Sequence, residues 1–155
     1  MLIRQFQASD LNEILNLFYQ TVHTINLKDY SKEQLDAWAS HDIDIERWQK
    51  SLTKNYALVA IINDKIVGFG DIDDSGYLDH LYVHKDYQNQ HIATKITEQL
   101  VKHKNFNKIV THASITALPF FLKQGYQIMK KQQVLRKGVY LTNYVMEKTN
   151  NKNDT

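Results

Sequence analysis

The sequence predicts an α/β chain of the α+β kind, built on a mixed, mostly antiparallel sheet of about seven strands. Three observations point there. Tyr56–Ile62 and residues 66–72 are β-rich runs separated by Asn63-Asp64-Lys65, a hairpin signal. Residues 76–102 pass from an apolar strand through a polar turn directly into an amphipathic helix. Residues 108–112 form a strand reached only through that helix, so it runs parallel to the strand before it.

In chain order, Leu2–Gln5 reads as a short strand, and Ser9-Asp10 followed by Glu13 marks a helix start with capping-box spacing from Asp10. That helix sets Leu11, Ile14, Leu15, Phe18, Val22 and Ile25 on one stripe, which is core. Tyr30-Ser31-x-x-Gln34 opens a second helix carrying Leu35 and Trp38, and a third begins near Asp44 with Ile45, Trp48 and Leu52. After the hairpin, Asp74-Ser75-Gly76 turns the chain into the strand Tyr77–Val83, with Leu78, Leu81 and Val83 as its core residues. Ile92, Ala93, Ile96 and Leu100 then fall at helical spacing. A short helix over residues 117–124 carries Pro119 early and ends at Gly125. Strands over 126–135 and 139–146 close the chain, turned at Arg136-Lys137-Gly138. The whole is one domain over residues 1–148, with residues 149–155 a polar, disordered tail.

Composition narrows the function. The 155 residues carry a formal charge of +2 with no basic stripe, which gives no footing to nucleic acid. No apolar run spans a bilayer and the N-terminus lacks secretory order, so a soluble, cytoplasmic protein without a membrane partner is expected. The absence of cysteine excludes disulfides, thiolate metal sites and a cysteinyl acyl-enzyme. The seven histidines are scattered, and no metal site is expected.

The joint Gln88-Asn89-Gln90-His91 places unpaired helix N–H groups and the positive end of the helix dipole at a turn flanked by Lys85 and Lys95. Such a joint is an anion site or simply a well-capped turn. Leu81-Tyr82-Val83, five residues, then Gln88-x-x-His91-x-Ala93 resembles the acetyl-coenzyme A motif of the GNAT superfamily of N-acyltransferases, Q/R-x-x-G-x-G/A after an L-x-V strand end. The order of elements is similar to that family from the first strand to about Lys148. The resemblance implies the GNAT fold, with helices on both faces of the sheet and the fourth and fifth strands parallel and splayed apart. His91 stands where the family most often has glycine, used where backbone approaches pyrophosphate; a helical φ there would accommodate histidine.

The resemblance also implies a chemistry. Acetyl-coenzyme A would be the acyl donor, its pantetheine arm held by Leu81, Tyr82 and Val83 and its pyrophosphate by Gln88, Asn89, Gln90, His91, Ile92, Ala93 and Thr94. Residues 113–126 resemble the family's second cofactor segment, implicating Ser114, Phe120, Phe121 and Lys123. Phe121 replaces the usual tyrosine and has no proton for a departing thiolate, which leaves Tyr126 and Tyr144 as candidates and Tyr82 and Tyr77 as weaker ones. An ammonium acceptor needs a base, and Asp79, His80 and His112 are available, with Asp71 and Asp73 on the neighbouring strand. Strand alternation puts Asp79 and His80 on opposite faces, and Asp79 is preferred. Six carboxylates between residues 29 and 46, interleaved with aromatics, nominate Tyr30, Asp36, Trp38 and Asp42 as the lip for a cationic amine, although solvated helix faces explain carboxylates equally. The expected function is N-acetyltransfer to a primary amine of a small cationic molecule by direct attack in a ternary complex. The alternatives are a protein N-terminal or lysine acetyltransferase and a non-catalytic acyl-coenzyme A sensor. A homodimer through the closing strands is one arrangement the resemblance allows.

Overall fold

The computed structural model describes residues 1–149. Its strands are β1 (Leu2–Gln5), β2 (Tyr56–Ile62), β3 (Lys65–Ile72), β4 (Tyr77–Val83), β5 (Lys108–Ser114), β6 (Gln127–Arg136) and β7 (Val139–Thr149), and they form one sheet in the order β1-β2-β3-β4-β5-β7-β6. Every neighbouring pair is antiparallel except β4 and β5. Thr149, expected to begin the polar tail, is instead the last residue of β7 and pairs with Lys108, because β7 is zipped to β5 over the whole length of β5. The rest of that tail lies outside the described residues.

Five helices cover the sheet: α1 (Leu11–Ile25), α2 (Lys32–Trp38), α3 (Ile45–Lys54), α4 (Ile92–Val101) and α5 (Leu118–Lys123). Alternation along the strands divides the core in two. Val59, Phe69 and Leu141 pack with Leu11, Ile14, Phe18, Val22, Leu35 and Leu52 from α1 to α3. Leu58, Ala60, Val67, Leu78 and Met146 pack with Ile92, Ile96, Leu100 and Phe121 from α4 and α5 on the other face. Each fully buried aliphatic side chain contributes roughly 1.5–3 kcal/mol. Among the described residues no helix is long and apolar enough to cross a membrane.

Local chemistry sets the ends of these elements. Asn63 and Asp64 both take positive φ, 50° and 62°, which is the backbone of a two-residue type I′ hairpin loop. Ser31 and Gln34 form the reciprocal capping box expected of them, and the Asp44 side chain accepts from the Arg47 N–H at 3.1 Å to start α3. The box expected between Asp10 and Glu13 does not form. Asp10 turns back to accept from the Gln7 N–H at 2.8 Å and from both arms of Arg4 at 2.8 Å, while Glu13 accepts from the Ile66 N–H at 2.7 Å and ties α1 to β3.

Two features of the sheet fix where it opens and where α4 sits. β4 and β5 pair only at Tyr77↔Val110 and Leu78↔Thr111, and then diverge, which opens the splayed gap between them. On β3, Gly68 and Gly70 let α4 rest against the strand backbone. A Cβ at Gly68 would sit 3.0 Å from Ile92 and 3.1 Å from Ile96, and one at Gly70 3.1 Å from Ile96 and 3.2 Å from Leu100.

Candidate active site

The register of β3 against β4 shifts between Asp71↔His80 and Ile72↔Leu78, leaving Asp79 as the extra residue of a β-bulge. Unbroken alternation would send Asp79 and His80 to opposite faces; the bulge corrects that expectation, and both side chains line one cavity of about 760 Å³ on the α1–α3 side of the sheet. Asp71, fully buried, accepts at one oxygen from the His80 backbone N–H (2.8 Å) and from His80 Nδ1 (3.0 Å), and at the other from Asn55 Nδ2 (3.1 Å). A carboxylate only accepts, so the ring proton resides on Nδ1 and Nε2 keeps its lone pair. Nε2 has no partner among the described residues, and the ring is steadied against Trp48 at 4.6 Å between centroids.

Burial by itself would lower the His80 pKa, but the hydrogen bond and charge of Asp71, with the charge of Asp79, hold it above its ordinary value. Burial raises the Asp79 carboxyl; His80 and His112 oppose that, and the charges of Asp71 and Asp73 add to it. Ligand atoms of Asp71, Asp79 and His80 lie within 4.8 Å of one another. Both Asp71 oxygens are already hydrogen-bonded, to His80 and to Asn55.

Around this dyad the cavity is walled by Tyr77 and Tyr82 from β4, His112 and Ser114 from β5, Asn143 from β7, and Trp38, Asp42, Arg47 and Trp48 from the helical side, with Arg136 and Lys137 at the β6–β7 turn. Of the expected acceptor lip, Tyr30, Trp38 and Asp42 line it. Tyr30 is also a structural clamp, its hydroxyl donating to the Thr142 carbonyl (2.6 Å) and accepting from the Ile115 N–H (2.9 Å). Asp36 does not line it. Its carboxylate points into a separate recess with Tyr19, His23 and His41, lying 3.6 Å from Lys32 and 3.8 Å from His23. Asp29 and Asp44 are likewise taken up by the fold, Asp29 accepting from Thr116 and Asp44 capping α3.

The other tyrosines sort by face. Tyr126 and Tyr144, the preferred proton donors, pack against the α4–α5 core and do not line the cavity; Tyr126 is pushed up to about 12 by burial. Tyr77 does line it and is also pushed up to about 12, by burial first and by the Asp79 charge. Burial raises Tyr82 in the same direction. Phe121 is 3% exposed and stacked edge-on against Phe120 and Tyr126, and Lys123 is exposed in the last turn of α5. The Ser114 hydroxyl accepts from the Ala117 N–H at 3.0 Å.

On the gap side, the His84 N–H donates to the Val67 carbonyl, so alternation turns the backbone of His80 and Tyr82 toward β3 and that of Leu81 and Val83 toward the opening. Tyr82 therefore contributes a side chain to the cavity rather than backbone to the gap. Gln88 Nε2 donates to the Val83 carbonyl (2.8 Å) and anchors the loop. Asn89 at φ 62° and His91 at φ 61° are both left-handed, so His91 takes the conformation that favours glycine, not the helical one. Gln90 and His91 are exposed, while Ile92 is buried and fixes the first turn of α4. The first α4 bond runs from Lys95 N–H to the His91 carbonyl, ahead of which stand the N–H groups of Ile92, Ala93 and Thr94.

The family described as acetyltransferase (GNAT) domain matches residues 26–148. The chain belongs to the GNAT acetyltransferases. This GNAT enzyme is 35% identical over 144 residues to the uncharacterized N-acetyltransferase YafP of Escherichia coli (strain K12), covering 93% of each chain. Its fold superposes on a GCN5-related N-acetyltransferase from Rhodopseudomonas palustris with a TM-score of 0.92 at 28% identity, covering 96% of this chain and 94% of that one. It also superposes on the PaiA N-acetyltransferase of Thermoplasma acidophilum, a complex with coenzyme A, with a TM-score of 0.77 at 16% identity, covering 96% and 98%. Sequence reasoning had placed Asp71 beside the site without its role, and had not found Arg47, Trp48, Arg136 or Asn143. Nothing in local spacing marks those four, because they come to the cavity from α3, β6 and β7.

Proposed function

We propose that the enzyme moves acetyl from acetyl-coenzyme A to the primary amine of a small molecule by direct attack within a ternary complex, with His80 as general base. The carrying observation is the Asp71–His80 dyad, whose free Nε2 lines the cavity beside the β4–β5 opening. The donor reading draws on the coenzyme A complex of the Thermoplasma relative and on the fit of this chain's own groups. Leu81 turns its backbone N–H and carbonyl and Val83 its N–H toward the gap, as an added strand requires, the Val83 carbonyl being taken by Gln88 and Thr21, and the free N–H groups at the start of α4 suit a pyrophosphate. Acetyl-coenzyme A would supply the thioester; as its C–S bond breaks, the second proton of the attacking nitrogen passes to the departing sulfur, so that amide and free thiol result.

The acceptor arrives as an ammonium ion and must lose a proton before its lone pair attacks. His80 Nε2 accepts that proton, and Asp71 stabilises the resulting imidazolium while fixing the ring. Asp79, beside the dyad, attracts the incoming cation. Tyr77 keeps its proton throughout the neutral range and remains a hydrogen-bond donor in the cavity.

Calorimetric titration with acetyl-coenzyme A, followed by thiol release against small amines, free N-terminal peptides and lysine peptides, tests this. Binding with turnover of small amines is expected, and His80→Gln should keep the donor affinity while lowering kcat/KM by about 10²–10⁴. Binding without thiol release from any amine would make the protein an acyl-coenzyme A sensor instead.

A further inference from the structure

The chain has three arginines. Arg4 is locked to Asp10 at 2.8 Å far from the cavity. The other two, Arg47 on α3 and Arg136 at the end of β6, both line the cavity, and neither has a carboxylate within ion-pair distance among the described residues. One comes from the helical layer and the other from the sheet. Lys137, next to Arg136, takes φ 47° and brings its Nζ to 3.3 Å from the Ser40 hydroxyl, so the β6–β7 turn leans across to the α2–α3 segment and carries Arg136 with it. The Arg136 charge is felt at the Tyr77 hydroxyl, on the β4 wall that also carries Asp79 and His80.

Three carboxylates share the cavity, and Asp42 stands exposed with no side-chain partner among the described residues. Asp44 caps α3, and Asp79 sits beside the base. Guanidinium groups are planar forks suited to carboxylate or phosphate, and two of them around one cavity with no carboxylate partner, Arg136 donating only to the Leu135 carbonyl at 3.2 Å, are unsuited to a simple cationic guest. Asn143, paired across the sheet with Ser114, lines the same cavity, and its Oδ1 is enclosed with no hydrogen-bond partner among the described residues.

We infer that the acceptor is a bifunctional amine, a small molecule bearing a carboxylate or phosphate besides its primary amine, with the anion held by Arg47 and Arg136 and the amine directed to His80. This rests on the acetyltransferase reading and narrows its substrate class. Proton removal by His80 Nε2 frees the lone pair that attacks. The acidic lip expected from the sequence favours a small cationic amine; the two arginines and Lys137 favour one that also carries an anion.

The test compares chain-matched acceptors on the intact protein with saturating acetyl-coenzyme A: ω-amino carboxylates of two to six carbons, aminoalkyl phosphates, neutral amino alcohols and diamines. Thiol release with any of them establishes the enzyme, independently of preference. The expected result is kcat/KM at least tenfold higher for an anionic acceptor than for the amino alcohol and diamine of the same length, carboxylate and phosphate arms deciding between the two anions. Arg136→Gln and Arg47→Gln should each shrink that preference ratio tenfold or more, with Arg136→Lys retaining part of it, and with donor affinity as the check on folding. Equal or better turnover of neutral amines or diamines would overturn the inference while leaving the acetyltransferase reading intact. An equal loss for all acceptors in the arginine variants would overturn it as well.

Discussion

The two faces of the sheet are built on different principles. The α4–α5 face is closely packed and apolar: Ile92, Ile96 and Leu100 lie directly on Gly68 and Gly70, and what it offers a ligand is backbone, at the start of α4 and along the edge of β4 that faces the gap. The α1–α3 face is aromatic and titratable, and what it offers is side chains, His80 on Asp71, Tyr77, Asn143 and two arginines around a cavity. On the proposed function, a donor common to a family would be held by groups that every residue possesses, and an acceptor particular to one enzyme by groups that substitution changes.

The sharpest way to break this contrast is Asp71→Asn, which alters the side-chain face and leaves the other untouched. His80 is held above its ordinary value by Asp71, against burial that lowers it. With His80 as the proposed base, the neutral imidazole would be the active form, and the wild-type kcat/KM should fall on the acid side of a limb lying above about pH 6.5. Without the carboxylate, burial dominates and the limb moves to lower pH, while the misdirected ring lowers the pH-independent rate by about tenfold to a hundredfold. Donor affinity should not change. The sign of the effect on stability is also fixed: a histidine raised in the fold contributes stability that is present below its unfolded value and lost as pH rises through the folded one. The urea midpoint of the wild type should therefore decline across that window, and His80→Gln should flatten the decline. A limb that stays in place in Asp71→Asn would transfer the base to another group.

Gly70→Val strikes the backbone face. Its Cβ would stand 3.0 Å from the His80 carbonyl and 3.1 Å from Ile96, so the strand or α4 must shift, at a cost of about 1–3 kcal/mol. Because α4 carries the free N–H groups, we expect a lower denaturant midpoint together with weaker acetyl-coenzyme A binding, the amine KM being the less affected of the two constants. Loss of stability with donor affinity unchanged would show that the helix start is held by Gln88 and its loop rather than by its seat on β3.

Periodicity and turn chemistry made the backbone face legible. The strand Tyr77–Val83, the helix start at Ile92, the Asn63-Asp64 hairpin and the parallel crossover all come from local patterns that the structure keeps. The side-chain face was read less well, for physical reasons. One extra residue at Asp79 reverses the facing of its neighbour, and a bulge has no local signature in LDHLY. Asp36 sits in a helix whose orientation turns it to another recess, and Arg47, Arg136 and Asn143 converge from segments separated by up to 96 positions, from 47 to 143, along the chain.

His91 joins the two readings, since its position was legible and its conformation was not. The backbone there is left-handed, a region that costs an ordinary L-residue about 1–2 kcal/mol and glycine almost nothing, though glycine returns part of the gain through the entropy of the unfolded chain. His91→Gly should therefore raise stability by about 0.5–1 kcal/mol in urea unfolding. Its exposed ring makes no cap bond to α4, so the pyrophosphate site, if made of backbone N–H groups, should bind acetyl-coenzyme A as well or slightly more tightly in the variant. A tenfold weaker titration would mean that the imidazole itself meets the phosphate. In that case the backbone face carries a side-chain contact of its own, and histidine at this turn exchanges local strain for donor affinity.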